Sequence, residues 1–383
     1  MIESILIYSL LTLVMTLCGV SIAAKSKRYI ARSGVCEIGG KFITPEMLVI
    51  LFSFAFVFGC RWGVGRDYFR YLFAYTRYIP ERFELLFQTI SSALQDIGAH
   101  FSVYFGVWAL LEVFFLYYAA RRYKFIFPYI AFFLIFGSQY LSMMNAIRQH
   151  LAAGVFMVSI VFIDEGKYMK YFLCCLLAFF FHRLSAVLFL IYPIVRFNND
   201  WFKSIKLQLF LYLIAIILNY NSDLIIKWIE MPFTWLADTL GYTRYRYELL
   251  EQARFDRNKF GNNTGLGIYV NMIRTIPIIL LSKKLKRFYN SSYFNLIYTF
   301  YFVSVLCGLI LGNSIILNRI TYLFVEFQII LFSLFVYYCF YYKKSYLNIV
   351  GALIMLICIP LFLNIISNEA STAQFTFFWE HNY

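Results

Sequence analysis

The chain has 383 residues, of which 62% are hydrophobic and 21% aromatic, and only 14% are charged. A water-soluble domain of this length could not bury so much apolar surface, so the composition excludes a soluble globular protein and indicates a polytopic membrane protein. No stretch has the size and polarity of a separate catalytic domain, so any chemistry belongs to the helices and their loops.

About twelve apolar segments follow one another along the chain. Several of them are shorter than the roughly 20 residues that a helix needs to cross a membrane. The sequence therefore predicts one all-α membrane domain over residues 1–383, with long outer loops at 61–100 and 221–265 and several short, tilted or re-entrant spans. The segments are 2–24, 46–60, 101–119, 126–141, 147–163, 168–181, 184–196, 207–220, 266–281, 293–312, 318–342 and 346–366.

Basic residues predict the orientation of the chain. The cluster from Lys25 to Arg32 follows the first segment, which places the N-terminus outside because basic residues stay on the cytoplasmic side. In this topology every lysine except Lys227 and Lys259 lies inside, whereas 13 of the 19 arginines lie outside or at outer helix ends. Since arginine suits bidentate binding of phosphate and carboxylate, the outer face is predicted to bind an anionic ligand. The alternative is that these arginines pair with acidic residues of the same loops.

Cysteine and histidine do not form a recognisable metal or disulfide pattern. The eight cysteines are scattered, mostly within apolar segments, and the four histidines are far apart. We interpret the cysteines as small core residues and predict no metal site and no cofactor.

The densest cluster of charge follows the second segment, where residues 61–71 read Arg-Trp-Gly-Val-Gly-Arg-Asp-Tyr-Phe-Arg-Tyr. So much charge beside a membrane span indicates a polar ligand. Gly63 and Gly65 would let the backbone turn tightly and approach a ligand or a neighbouring helix. The alternative is a glycine-rich turn in which Asp67 pairs with Arg61 or Arg66.

Both long loops contain further features. After Pro80, apolar residues follow helical spacing up to Ile97 with Glu84 on the polar face, which predicts a helix lying in the membrane interface. Residues 242–257 mix aromatics with arginines. Such a mixture suits sugars and phosphates, and because the loop faces outward we exclude nucleic acid as its partner.

The fifth segment begins with a polar face. Asn145, Arg148 and Gln149 share one side of this helix, at a start whose free amides already favour anions, while His150 points elsewhere and is predicted to be a hydrogen-bonded packing residue. His182 and Ser185 could share a face, but no third member of a hydrolase triad lies nearby.

Ionisable residues also occur within the later segments. Arg319 and Tyr322 lie near the outer surface, within reach of a ligand. Glu112, Arg274 and Glu326 lie deeper, where each charge costs about 2.5–3.5 kcal/mol, so we expect Arg274 to pair with one of the glutamates.

Three of these blocks resemble the EpsG family of Wzy-like polysaccharide polymerases. Residues 58–68 resemble its R-x-G-x-G-x-D-Y block and residues 145–152 its N-x-x-R-Q-x-x-A block. Residues 181–186 resemble its F-H-x-S-A block with one extra residue between His182 and Ser185, and the Asn318-Arg319 pair with Tyr322 is similar to a later arginine–tyrosine helix.

The resemblance implies a metal-independent glycosyltransferase of the bacterial cytoplasmic membrane, with a fold like the multi-span lipid-linked glycosyltransferases of the GT-C type. It would polymerise undecaprenyl-diphosphate-linked repeat units, which serve as donor and acceptor, on the outer face, with a chain-length regulator and a flippase as partners. Asp67 or His182 would take the proton from the attacking hydroxyl. The diphosphate would be bound by Arg61, Arg66, Tyr68, Asn145, Arg148, Arg319 and Tyr322.

Three other functions are compatible with the same sequence. A lipid-linked glycan flippase or other transporter would use the buried Glu112, Arg274 and Glu326 as a pathway. An O-antigen ligase-like enzyme would use the same donor with another acceptor. A membrane acyltransferase would rely on His150 or His182.

Overall fold

The computed structural model describes residues 1–26, 28–31, 34–37, 41–77, 83–197, 200–221, 228, 235, 239, 266–312, 317–368 and 372–381. These residues are almost entirely helical, which confirms the predicted all-α class. The exceptions are one short antiparallel hairpin and one isolated bridge between Arg61 and Phe377. The predicted aromatic and arginine-rich stretch at 242–257 lies outside the described residues.

The described elements follow the predicted apolar segments. The first part of the chain forms α1 (Ile2–Lys25), β1 (Arg28–Ala31), β2 (Gly34–Glu37), α2 (Pro45–Gly59), α3 (Tyr68–Thr76), α4 (Leu85–Asp96) and α5 (Phe101–Ala119). The middle part forms a 3-10 helix (Ala120–Ile126), α6 (Phe127–Ile135), α7 (Gln139–Asn145), α8 (Ile147–Asp164), α9 (Tyr168–Phe181), a second 3-10 helix (Arg183–Leu190), α10 (Ile191–Phe197) and α11 (Ile205–Tyr220). The last part forms α12 (Leu266–Tyr289), α13 (Ser292–Leu311), α14 (Asn318–Tyr341), α15 (Ser345–Leu356), α16 (Cys358–Ser367) and a short 3-10 helix (Phe378–Glu380).

Local side-chain caps mark the starts of several helices. Thr44 accepts a hydrogen bond from the Met47 amide at 3.3 Å, and Pro45 occupies the first turn of α2. Ser291 likewise accepts from the Phe294 amide at 3.0 Å at the start of α13. Such side-chain oxygens satisfy amides that a helix start leaves without an intrahelical partner.

Among the described residues, six stretches are long and apolar enough to cross a membrane. They are Ile2–Lys25, Phe101–Ile135, Ile147–Asp164, Ser292–Leu311, Asn318–Tyr341 and Ser345–Ser367. Three shorter apolar helices, α2, α9 and α11, accompany them. These helices identify a membrane protein, while the count of about twelve spans stays a prediction.

Three predicted segments are interrupted. The segment 126–141 breaks at Ser138, whose φ of 59° ends one helix and begins the next. The segment 346–366 divides at Ile357 into α15 and α16, and 184–196 begins as a 3-10 helix. Apolar composition alone does not reveal such breaks, although the helix-breaking residues Gly137 and Pro360 lie close to two of them.

Helices α8 and α14 are the most deeply buried of the six stretches, and α1 and α15–α16 are the least. Helix α14 packs against α6, α8, α13 and α15, and α8 also packs against α5 and α9. A helix that is apolar on all sides is expected in such a central position. The polar residues at the starts of these two helices are therefore brought close together.

The C-terminal segment 372–381 lies along the 61–71 block. The Trp62 amide donates to the Thr376 carbonyl at 2.8 Å, and the Phe378 amide donates to the Cys60 carbonyl at 3.0 Å. The Tyr8 hydroxyl donates to the Ala373 carbonyl at 3.0 Å. This segment therefore ties the block to α1 and fixes its position at the helix ends.

Candidate functional site

A polar cavity of about 230 Å³ lies where the 61–71 block meets the ends of α7, α8 and α14. Its four arginines and one aspartate give the lining a formal charge of +3. Helices α8 and α14 both begin here, so their first backbone amides add to the preference for an anion. The cavity is lined by Arg66, Asp67, Arg70, Tyr71, Asn145, Ala146, Arg148, Gln149, Asn318, Arg319 and Tyr322.

Two glycines shape the backbone on one side of the cavity. Gly63 has a φ of 69° and Gly65 a φ of 98°, a region that side chains disfavour. A Cβ atom on Gly65 would lie 3.1 Å from the Met144 carbonyl oxygen. The next turn is held by Asn145, whose Oδ1 accepts a hydrogen bond from the Asp67 amide at 3.2 Å. The predicted close approach of this turn to a neighbouring helix is confirmed.

Among the described residues, Asp67 is the single carboxylate that lines the cavity. Its side chain makes no hydrogen bond or ion pair with any described residue. The alternative in which Asp67 pairs with Arg61 or Arg66 is therefore wrong for this structure. A carboxylate without a partner beside several arginines can accept a proton from a ligand held by those arginines.

Arg148 is held from behind by Glu84. Its Nη1 forms an ion pair with Glu84 Oε2, and its Nε donates to the Tyr71 hydroxyl at 3.5 Å. The guanidinium also lies over the Phe83 ring, 4.8 Å from the ring centre. These contacts fix the direction of the guanidinium before any ligand binds.

Glu84 is itself buried, with 5% of its side chain exposed. Oε1 accepts hydrogen bonds from His182 Nδ1 at 2.9 Å and from the Arg183 amide at 3.4 Å. Burial raises the pKa of Glu84, but the His182 hydrogen bond and the Arg148 charge outweigh burial and lower the pKa to about 2. Glu84 is therefore ionised at neutral pH, although the sequence pattern places it on the polar face of an interfacial helix.

His182 does not line the cavity. Its Nδ1–H donates to Glu84, and its Nε2 accepts from Gln149 Nε2 at 3.2 Å. Burial lowers the pKa of His182 more than the Glu84 carboxylate raises it, which agrees with a neutral ring in this tautomer. The Ser185 hydroxyl donates to the His182 backbone carbonyl, so the pair does not form a nucleophile and base.

Arg61 and Tyr68 lie behind the cavity wall. Arg61 is fully buried, and its guanidinium donates to the carbonyls of Phe58 and Val64. It lies 4.5 Å from the centre of the Phe105 ring, on which the Tyr68 ring also stacks at 4.7 Å. The structure therefore does not bring these two predicted ligand residues to the cavity.

The ion pair predicted for Arg274 is wrong. Glu326 instead pairs with His150, with 2.8 Å between Oε1 and Nδ1. His150 Nε2 lies 2.9 Å from the Ser142 hydroxyl, so the predicted packing role of His150 is confirmed. Arg274 Nη2 donates to Cys358 Sγ at 3.1 Å.

Of the predicted site residues, Arg66, Asp67, Asn145, Arg148, Arg319 and Tyr322 line the cavity. Sequence reasoning missed Arg70 in the lining and the supporting role of Glu84. Arg70 lies in the first turn of α3, and Arg66 lies in the turn just before this helix, so the density of arginine in the 61–71 block is the signal that would have identified Arg70. No signal in the sequence identifies Glu84, because its partners Arg148 and His182 are distant from it in the chain.

The described residues thus define a helical membrane protein with a cationic cavity at the ends of its central helices. Over residues 47–379 the sequence matches the EpsG family. The chain belongs to this family, the family of Wzy-like polysaccharide polymerases, which indicates a polymerase-type role. No curated protein and no solved structure matches the chain.

Proposed function

We propose that this protein polymerises undecaprenyl-diphosphate-linked oligosaccharide repeat units by glycosyl transfer. The observation that carries the proposal is the cavity that combines four arginines, two helix starts and one carboxylate without a partner. The family match supports the polymer as product. The product would be a polysaccharide of the O-antigen, capsular or extracellular type.

The arginines would hold the diphosphate of the donor. Transfer breaks the bond between C1 of the donor glycan and the diphosphate oxygen, whose electron pair stays on the leaving group. Preorganised cations stabilise such developing charge strongly in a poorly hydrated site. Arg148 suits this role because Glu84 and Tyr71 fix its guanidinium. Arg66 and Arg319, with Asn145 and Tyr322, complete the proposed diphosphate site.

Asp67 would act as the general base. The hydroxyl of the acceptor glycan attacks C1, its oxygen forms the new glycosidic bond, and its proton passes to the Asp67 carboxylate. His182 is the poorer candidate, because it is buried behind the cavity with both nitrogens engaged by Glu84 and Gln149. His182 instead supports Arg148 through Glu84.

The protein would lie in the bacterial cytoplasmic membrane and act together with other proteins. The cavity would face outward from the bacterial cytoplasmic membrane, on the same side as the N-terminus, in a GT-C-like bundle of about twelve spans. A chain-length regulator and a flippase would be its protein partners. Because arginines supply the positive charge, transfer should continue in the presence of a chelator, and its loss on chelation would contradict metal independence.

The test is the glycan profile of a deletion strain complemented with Arg148→Gln, Arg319→Gln or Asp67→Asn. Each variant should lose long chains and accumulate single lipid-linked repeats on the outer face. Arg287→Gln, on an exposed turn of α12, is the matched control and should restore normal chains. Repeats trapped inside would indicate a flippase, and long polymer without its final attachment would indicate a ligase. Normal chains in all three variants would falsify the assignment of the cavity.

A further inference from the structure

A second cavity, of about 260 Å³, lies beside the central helix α14 and shares no lining residue with the first cavity. Its wall comes from the break between α6 and α7, from α12 and α14, and from α16. Its polar lining is provided by Ser138, Asn271, Arg274, Thr275 and Gln328. The volume is many times that needed for one water molecule.

Arg274 gives this cavity a positive charge. It lies eight residues into α12, about 12 Å from the start of the helix. Its Nη2 contacts Cys358 Sγ, and its Nε is buried without a hydrogen-bond partner. No carboxylate of the described residues forms an ion pair with it. A charge at such depth is costly unless something offsets it, so an anionic partner is expected here.

Ser138 supplies a second group that lacks a partner. It has a φ of 59° in the break between α6 and α7, and its hydroxyl is buried without a hydrogen bond among the described residues. A buried donor left unpaired costs about 1–3 kcal/mol, so such groups commonly have a partner. The same cavity is bounded by apolar Phe332, Leu361 and Ile365. Cationic, hydroxyl and apolar groups together fit the phosphate end of a lipid.

We propose that the Arg274 cavity binds the diphosphate of the acceptor, the second lipid-linked glycan. This inference rests on the proposed function, because a polymerase of this kind needs two such lipids in each turnover. Tyr322 of the first cavity and Gln328 of the second lie about 9 Å apart along α14. The two cavities therefore contact different turns of this helix.

The difference in charge between the cavities fits the two roles. The donor diphosphate is a leaving group that gains charge, and four arginines face its cavity. The acceptor diphosphate keeps its bond to the sugar and needs only to be held. Binding that is equal in the ground and transition states requires no extra stabilisation of charge. One arginine with a hydroxyl meets this smaller requirement.

The test counts undecaprenyl diphosphate molecules bound to the detergent-purified full chain by native mass spectrometry. Wild type should bind two, and Arg274→Gln and Arg319→Gln should each bind one. Arg287→Gln, a control on the same helix as Arg274, should bind two. Ser138→Gly keeps the backbone conformation without the hydroxyl and should weaken the second binding event about fivefold.

The outcomes separate this inference from the proposed function. One bound lipid in wild type, lost in Arg319→Gln and kept in Arg274→Gln, would overturn the second site and leave the proposed function intact. No bound lipid in wild type would contradict the proposed function. If Arg274→Gln loses co-purified phosphatidylglycerol and retains two undecaprenyl diphosphates, the cavity binds ordinary phospholipid and the inference is wrong. Arg274→Lys keeps the charge and should retain two lipids. This variant distinguishes loss of the charge from a folding defect as the cause of lost binding.

Discussion

Glu84 shows how a residue that touches no ligand can define a site. It is buried between Arg148 and His182 and accepts a hydrogen bond from each. Arg148 would otherwise be free to rotate about its long side chain and lose its direction toward the cavity. Because a preorganised guanidinium stabilises developing charge better than a mobile one, Glu84 is expected to be essential without contacting substrate.

Replacing Glu84 with Gln should lower both stability and polymer formation. Arg148 would remain buried without a counterion, a loss of about 3–5 kcal/mol for a broken buried pair. Thermal unfolding in detergent and the chain-length profile in cells measure the two effects. Glu165→Gln is the control, because Glu165 pairs with Arg122 and Lys167 on a more exposed surface and should change stability by less than about 1 kcal/mol. Equal effects of the two variants would contradict the special role of Glu84.

Acidification should destabilise the protein through the same group of residues. The folded state lowers the pKa of His182 and lowers that of Glu84 to about 2, so the unfolded chain binds protons more readily. Stability is therefore present above the unfolded pKa values, about 6.5 for His and 4.3 for Glu, and is lost as the pH falls below each. The melting temperature of wild type should fall between pH 7 and pH 5.

The variant His182→Asn separates this effect from general acid damage. Of His182 and Glu84, the histidine is protonated at the higher pH in the unfolded chain. Because the variant lacks this imidazole, its melting temperature should fall less between pH 7 and pH 5 than that of wild type. His100→Asn removes an exposed histidine and should keep the wild-type slope. A His182→Asn slope equal to that of wild type would show that the buried imidazole does not control the pH response.

At the scale of elements, the turn at residues 63–67 fixes the position of Asp67. Its backbone needs the left-handed conformation of Gly65 and a close approach to the end of α7. The hydrogen bond from the Asp67 amide to Asn145 then fixes the next residue of the turn. The turn is thus held against the end of α7 at a distance that leaves little room for a Cβ atom.

Gly65→Ala should therefore displace the turn and reduce polymer formation at least tenfold with little loss of folded protein. The added Cβ would meet the Met144 carbonyl oxygen, a backbone atom that cannot rotate away. Gly98→Ala is a matched control, since Gly98 also has a positive φ, of 66°, but has no atom within 4 Å of the added Cβ. It should cost about 1–2 kcal/mol of strain and leave the polymer intact. Similar polymer loss in both variants would indicate strain rather than the contact.

Much of the element pattern could be predicted from the sequence, because apolar runs identify helices directly. The starts of α5, α8 and α14 agree with the predicted segments to within one residue. The breaks at Ser138 and Ile357 are missed by hydrophobicity alone, although Gly137 and Pro360 beside them are local signals of a helix end. The same holds for the site: Asp67 and Arg148 stand out by charge, whereas the burial of Arg61 and the role of Glu84 depend on contacts distant in sequence.

In the whole molecule, lysine and arginine are distributed unequally between the two ends of the helical bundle. Two of the cavity arginines, Arg148 and Arg319, lie at the starts of α8 and α14, and Lys343 and Lys344 follow the other end of α14. Since lysine marks the cytoplasmic side of membrane proteins, the cavity end is expected to face outward. This expectation concerns orientation only and can be tested without any substrate.

Cysteine labelling in intact cells measures this orientation. Arg66→Cys, at the exposed rim of the cavity, should react with a membrane-impermeant maleimide in whole cells. Lys344→Cys, exposed at the opposite end of α14, should react only after the cells are permeabilised. Labelling of wild type measures the background reaction of the native cysteines, most of which lie within helices. Labelling of Lys344→Cys before permeabilisation, with Arg66→Cys protected, would place the arginine cavity in the cytoplasm. Polymerisation at an outer face would then be incompatible with the position of the arginines.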